Sequence, residues 1–129
     1  MTVPVGLGTD LVEVARIASS IREHGERFLT RCFTDGERVD AIRSGHGRSV
    51  ERFAARFAVK EAVMKALGTG WAGGVGWTDI EVSLDGSGAP SIALSGRAAE
   101  IAKDIGIRSW LCSMTHTQAH ASATVIALS

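Results

Sequence analysis

Three charged side chains in this sequence sit where little around them is polar. Glu61 and Lys65 are four residues apart in RFAARFAVKEAVMKALGTG, residues 52 to 70, one helical turn from each other on an otherwise largely apolar segment. Asp10 lies in GLGTDLVEVARI, among small and aliphatic residues. A charge removed from water is costly unless it is paired or ligates a metal. Mg²⁺ takes one or two protein carboxylates and completes its octahedron with water and substrate phosphate. Asp10 with Glu61 matches that economy, and Lys65 would bring positive charge to the same phosphates. The competing account is an exposed Glu-to-Lys helix pair worth a few tenths of a kcal/mol. Asp10, in an opening strand that would run beside such a helix, tips the balance toward the metal.

The elements that must gather these residues follow from periodicity and punctuation. Residues 3 to 14 read as a strand, with small residues where something approaches the backbone. Residues 16 to 31 suit one helix, with Ile17, Ile21 and Phe28 roughly on one side. Thr34-Asp35-Gly36-Glu37 has the form of a capping box and starts a short helix that ends before Ser44. A loop over residues 45 to 49 leads into a helix from about 50 to 67, in which Phe53, Phe57, Met64 and Leu67 form the buried stripe; Gly68 stops it. Residues 78 to 84 alternate as a half-buried strand, DGSGAP is turn chemistry, and SIALS returns as a second strand. Ser95 opens a helix to about Ile105, closed by Gly106, and two strands follow near 109 to 115 and 119 to 128. Helices first and strands later predict a single small α+β domain over residues 1 to 129, with an antiparallel-type sheet packed around the long central helix. The alanine-rich last strand suits tight packing, including against another subunit.

Composition narrows the function classes. A chain of 129 residues holds one core, and 45% hydrophobic with 22% charged residues is ordinary for a folded soluble protein. A net charge of zero argues against nucleic-acid binding, which calls for a broad basic footprint. Nine arginines from Arg16 to Arg56 face seven acids from Glu13 to Glu51, a mild local excess. Cys32 and Cys112 lack metal-ligand spacing and read as buried reduced thiols, which suits the cytoplasm. No signal segment and no apolar run approaching the roughly 20 residues of a membrane span is present, so no membrane partner is expected.

Other motifs carry less. Gly68, Gly70 and Gly73 satisfy G-x-G-x-x-G, but a helix precedes them and a strand follows, the reverse of the dinucleotide fingerprint. His116 and His120 have a zinc-like spacing without the accompanying glutamate, and their flanks read as strands. For His116 alone, a phosphate or ligand contact is more plausible than zinc, against a default of a hydrogen-bonded structural histidine. His24 and His46 read as surface residues, and no G-x-S-x-G elbow supports a serine hydrolase.

Taken in order, GLGTDLVEVARI, RFAARFAVKEAVMKALGTG, WTDIEVSLDGSGAPSIALSG and SMTHT closely resemble the holo-acyl-carrier-protein synthases, the small phosphopantetheinyl transferases of bacterial fatty-acid synthesis. The resemblance spans nearly the whole chain, and its most specific part pairs the early G-x-D with F-x-x-K-E-A-x-x-K-A. It implies transfer of the 4'-phosphopantetheine arm of coenzyme A to a serine of apo acyl carrier protein, with Mg²⁺, releasing adenosine 3',5'-bisphosphate. By motif, Asp10 and Glu61 would ligate the metal and Lys65 would neutralise the pyrophosphate. Arg56 and His116 would contact the nucleotide end with its 3'-phosphate, and Arg16 the acidic recognition helix of the carrier. The serine proton would pass to Glu61 or to water held by the ion. The resemblance further implies a homotrimer with active sites between neighbouring subunits, so that Asp10 and His116 need not serve the same site as one Glu61. The glycine-rich loop from Gly70 to Gly76, the RSGHGRS segment and Met114 depart from the commonest pattern of that family. Two other functions share parts of the site: a Mg²⁺-dependent nucleotide phosphohydrolase and a non-catalytic coenzyme A-binding oligomer.

Overall fold

A computed structural model describes residues 1–43, 48–70 and 73–129. Most of the loop expected from Gly45, together with His46 and the middle of the G-x-G-x-x-G segment, lies outside the described residues. Strand β1 (Pro4–Glu13) pairs antiparallel with β5 (His120–Leu128), and β5 pairs antiparallel with β4 (Ser109–His116), giving a sheet in the order β1-β5-β4. A second sheet is the hairpin of β2 (Ile80–Leu84) and β3 (Pro90–Leu94). The α+β expectation holds.

Helix α4 (Ser49–Leu67) packs across β1, β5 and β4. The expected apolar stripe proves too narrow, because 12 of its 19 residues are buried, distributed over every face. Four of them are alanines at 54, 55, 58 and 62, and a helix apolar all round belongs in an interior. Small residues on both partners set how close helix and sheet come. A Cβ built on Gly8 would fall 1.8 Å from the Ala62 carbonyl oxygen, and one on Gly6 would fall 2.9 Å from that of Ala66. Strand β1 therefore lies with its bare backbone against α4. The expectation of small residues where something approaches the backbone is met by this helix.

The single helix expected over residues 16 to 31 is two. Helix α1 (Val14–His24) ends at Gly25, whose φ of 54° breaks the helical path, and α2 (Glu26–Cys32) restarts at a new angle. The turn lets Phe28 stack on Phe57, with ring centroids 6.5 Å apart, and meet Phe33 edge-on.

Helix α3 (Asp35–Arg43) starts with the expected capping box. The Thr34 N–H donates to Glu37 Oε1 at 2.9 Å, and the Glu37 N–H donates to Thr34 Oγ1 at 3.2 Å. Glu37 does more than cap. Fully buried, it pairs with Lys60 Nζ at 2.8 Å and accepts the Val82 N–H at 2.9 Å. Lys60 also donates to the carbonyls of Trp77, at 3.0 Å, and Ile80. Burial lowers the Lys60 pKa, while Glu37 opposes the shift. This saturated ion pair joins α3, α4, the 3₁₀ turn Trp77–Asp79 and β2, and it fixes the rotation of α4 one residue before Glu61. Helix α5 (Gly96–Asp104) begins after Ser95, whose side chain makes no cap hydrogen bond, and is closed by Gly106 at φ 85°.

Candidate active site where β1 crosses α4

Side chains alternate along β1, so Gly8, Asp10 and Val12 share the face that meets α4. The crossing brings Lys65 Nζ within 3.1 Å of Asp10 Oδ1 and within 2.9 Å of the Thr9 carbonyl. The Glu61-to-Lys65 helix pair is not among the described ion pairs, because Lys65 reaches to the strand instead. The Asp10 side chain is only 15% exposed. Glu61 is half-buried; burial first, and then the charge of Asp10, push its pKa up, while Arg16 and Lys65 pull it down. Asp10 is therefore close enough to oppose the ionisation of Glu61.

That donor set suits a hard divalent cation. Two oxygen-ligand side chains with one unfavourably ionised member gain from a cation between them, and Mg²⁺ asks for no more protein ligands than that. Among the described residues no cluster of three or more His, Cys, Asp or Glu side chains gathers, as a closed structural metal site would require.

Arg16 stands at the rim. It is exposed, with its guanidinium carbon 5.7 Å from the centroid of the Phe57 ring, and Phe57 stacks on Trp77 at 4.5 Å. Phe57, Glu61 and Lys65 follow one another at four-residue steps, so the site is a shallow ridge carrying Arg16 at one end and Asp10 with Lys65 at the other.

Two further residues named from the sequence stand elsewhere. His116 ends β4, and its Nδ1 lies 3.0 Å from Glu51 Oε2 in the first turn of α4. Glu51 and Glu61 are ten residues apart, about 15 Å along a helix axis. Arg56 is 1% exposed and does not join Asp10, Glu61 and Lys65. Its Nη1 donates to the Arg52 carbonyl at 3.2 Å, while Nε and Nη2 have no hydrogen-bond partner among the described residues. Burial lowers its pKa against the pull of Glu37 and Asp40. The resemblance implied that Arg56 contacts the nucleotide end; in this chain its guanidinium is buried, with two N–H groups unpartnered among the described residues.

The structure removes competing chemistry. His116 and His120 close a hairpin between β4 and β5, one at the end of a strand and one at the start of the next, which is not a helical zinc pair. Burial pushes the Cys112 thiol up to about 11 and raises that of Cys32, so neither is a thiolate nucleophile at neutral pH. Sequence reasoning missed the Thr9 carbonyl and Glu51. A backbone oxygen has no sequence signal, and Glu51 looks like any acidic residue in a first helical turn.

A model of the 4'-phosphopantetheinyl transferase superfamily matches residues 6–124. A holo-[acyl-carrier-protein] synthase of Koribacter versatilis is 48% identical over 124 residues, covering 95% of this chain and 96% of that one. The crystal structure of the holo-[acyl-carrier-protein] synthase from Neisseria meningitidis superposes with a TM-score of 0.86 at 31% identity, over 97% of this chain and 98% of that one. A Bacillus anthracis holo-(acyl-carrier-protein) synthase, solved in complex with CoA (3',5'-ADP), superposes with a TM-score of 0.80 at 33% identity, over 98% of this chain and 97% of that one.

Proposed function

The chain belongs to the 4'-phosphopantetheinyl transferase superfamily, and we propose that it moves the phosphopantetheine arm of coenzyme A to a serine of apo acyl carrier protein with Mg²⁺ as cofactor. The observation that carries this reading is the crossing of β1 over α4, which sets Asp10 against Lys65 and makes the ionisation of Glu61 depend on Asp10.

Asp10 and Glu61 would hold the ion, which when bound supplies Lewis-acid neutralisation of diphosphate charge. The reaction is a phosphoryl transfer, in which positioning and charge compensation do most of the work. The serine oxygen bonds to the phosphorus next to pantetheine. The bond from that phosphorus to the bridging oxygen breaks, and adenosine 3',5'-bisphosphate leaves with the electron pair. Lys65 has three N–H donors, of which Asp10 and Thr9 take two; the third is left for the departing phosphate. The serine proton would pass to Glu61 or to water, the two acceptors that the resemblance leaves open. Arg16, exposed beside Phe57, would meet the acidic helix of the carrier and bring its serine toward Glu61 in the middle of the ridge. Arg56, buried but with Nε and Nη2 unpartnered among the described residues, and His116, whose Nε2 donates when the ring is an imidazolium, would contact the 3'-phosphate, as the resemblance implies.

A homotrimer with sites between subunits fits two features. On the face of the three-stranded sheet turned away from α4, Leu7 and Leu11 are each 67% exposed and Leu111 is 56% exposed, a patch suited to another copy. His116 meets Glu51, ten residues before Glu61 and about 15 Å away along the helix axis, a placement compatible with His116 serving the Glu61 of a neighbouring copy.

Intact-protein mass spectrometry tests the reaction. Incubation with coenzyme A, Mg²⁺ and apo carrier should add one phosphopantetheine to the carrier, and a chelator should stop it. Coenzyme breakdown with an unmodified carrier would point to the phosphohydrolase, and neither change to a non-catalytic binder.

A further inference from the structure

We propose that Glu51 is a positioning residue that holds His116 by Nδ1 so that Nε2 faces a bound anion, an inference that rests on the assignment of His116 to the 3'-phosphate above. The two side chains come from elements 65 residues apart, the first turn of α4 and the last residue of β4, and meet at 3.0 Å. An ionised carboxylate can only accept, so the hydrogen between them sits on His116 Nδ1. The contact thereby fixes the other nitrogen: Nε2 is a bare acceptor in the neutral ring and a donor in the imidazolium. A phosphate dianion offers only acceptors, so it is bound by the ring in its protonated form, with Nδ1–H donating to Glu51 and Nε2–H donating to the phosphate.

Without Glu51, the ring would be free to turn and would face the phosphate without a compensating charge behind it. With it, both N–H groups of the imidazolium have acceptors, the carboxylate on one side and the phosphate on the other. A structural staple accounts less well for the pair. It is partly exposed, with side chains 33% open at His116 and 17% at Glu51, and such surface pairs contribute little to stability. Among the described residues nothing occupies Nε2, which leaves that nitrogen available to a ligand.

The test compares coenzyme A with 3'-dephospho-coenzyme A as donors for apo carrier. Glu51→Gln keeps an acceptor for Nδ1–H but removes the charge. It should raise KM for coenzyme A about tenfold, the scale of one charge-assisted hydrogen bond, with kcat within about twofold. KM for the dephospho donor should stay unchanged. Glu51→Asp, which keeps the charge, should recover part of the loss. In His116→Ala, adding Glu51→Gln should cost nothing further. Imidazole ¹⁵N spectra of the wild type should show Nδ1 protonated, and the His116 signals should shift on adding adenosine 3',5'-bisphosphate, less so in Glu51→Gln. Equal KM increases for both donors, or none for coenzyme A, would overturn the role of Glu51 while leaving His116 in place. A His116→Ala enzyme that treats the two donors as the wild type does would remove the 3'-phosphate assignment and this inference with it.

Discussion

Glu61 is strained toward its neutral form by burial and by Asp10, and that strain separates its contribution to stability from its contribution to chemistry. A carboxyl whose folded pKa is raised favours the folded state below the unfolded pKa of about 4.3 and loses that benefit as pH rises through the folded pKa. At neutral pH, then, ionised Glu61 costs stability in the metal-free protein. Glu61→Gln should leave the melting temperature unchanged or raise it at pH 7, with the two proteins converging near pH 4, while carrier labelling falls by about 10²- to 10³-fold. A variant that melts lower at pH 7 than the wild type would mean that Glu61 is a structural group. Asp10→Asn should bring the Glu61 pKa down, by less than the part that burial contributes, and should lose activity on a similar scale; carboxyl titration by NMR reads the first and the labelling assay the second. Mg²⁺ should raise the melting temperature of the wild type at pH 7 and do less at pH 5, where protons compete for the ligands, and should do little for either variant.

The site is only as well formed as the approach of β1 to α4, and that approach depends on the absence of a side chain at Gly8. Gly8→Ala places a methyl against the Ala62 carbonyl, so helix and strand must part. The expected cost is about 1–3 kcal/mol or more in chemical denaturation. Activity should fall further than that destabilisation explains, because Lys65 and Glu61 move away from Asp10 together and small misplacements are expensive in catalysis. Lys60→Met probes the same helix from the other side. It leaves the buried Glu37 carboxylate without its cation and should cost about 3–5 kcal/mol. These elements differ in how far the sequence exposes them. The capping box at Thr34 and the stop at Gly68 are local, and both stand where the residues place them. The break at Gly25 escapes because Ile21 and Phe28 keep a helical spacing across it, and only tertiary packing of Phe28 decides the new direction. Glu37 reads as a cap, but its pairing with Lys60 depends on a contact 23 positions away in the chain. Asp10, Glu61 and Lys65 were legible because two acids and a lysine in apolar surroundings have few chemical uses. The inward turn of Arg56 and the reach of Glu51 to His116 were not, because each depends on which face of α4 the sheet covers.

At the scale of the whole molecule, the proposed homotrimer would complete what one chain presents. Its three-stranded sheet covers α4 on one face and presents Leu7, Leu11 and Leu111 on the other, where water is an unfavourable neighbour. Its His116 is tied to the first turn of α4, ten residues before the proposed metal ligand Glu61. Both features are answered if the outer face meets another copy and His116 of one subunit serves Glu61 of the next. Light scattering should then report a trimer. Leu7→Glu with Leu111→Glu should yield a smaller species that keeps its helical circular dichroism but labels carrier poorly. Subunit mixing separates this from a trimer whose sites are each self-contained. Glu61→Gln subunits and His116→Ala subunits are each impaired alone, with coenzyme A held below its wild-type KM. Unfolded and refolded together in equal amounts, they would form some interfaces where an intact Glu61 faces an intact His116, about a quarter of the total in a closed ring assembled at random. Activity should rise above the mean of the two separate preparations toward that fraction. If both residues served the same site from the same chain, every site in the mixture would carry one lesion, and mixing would recover nothing.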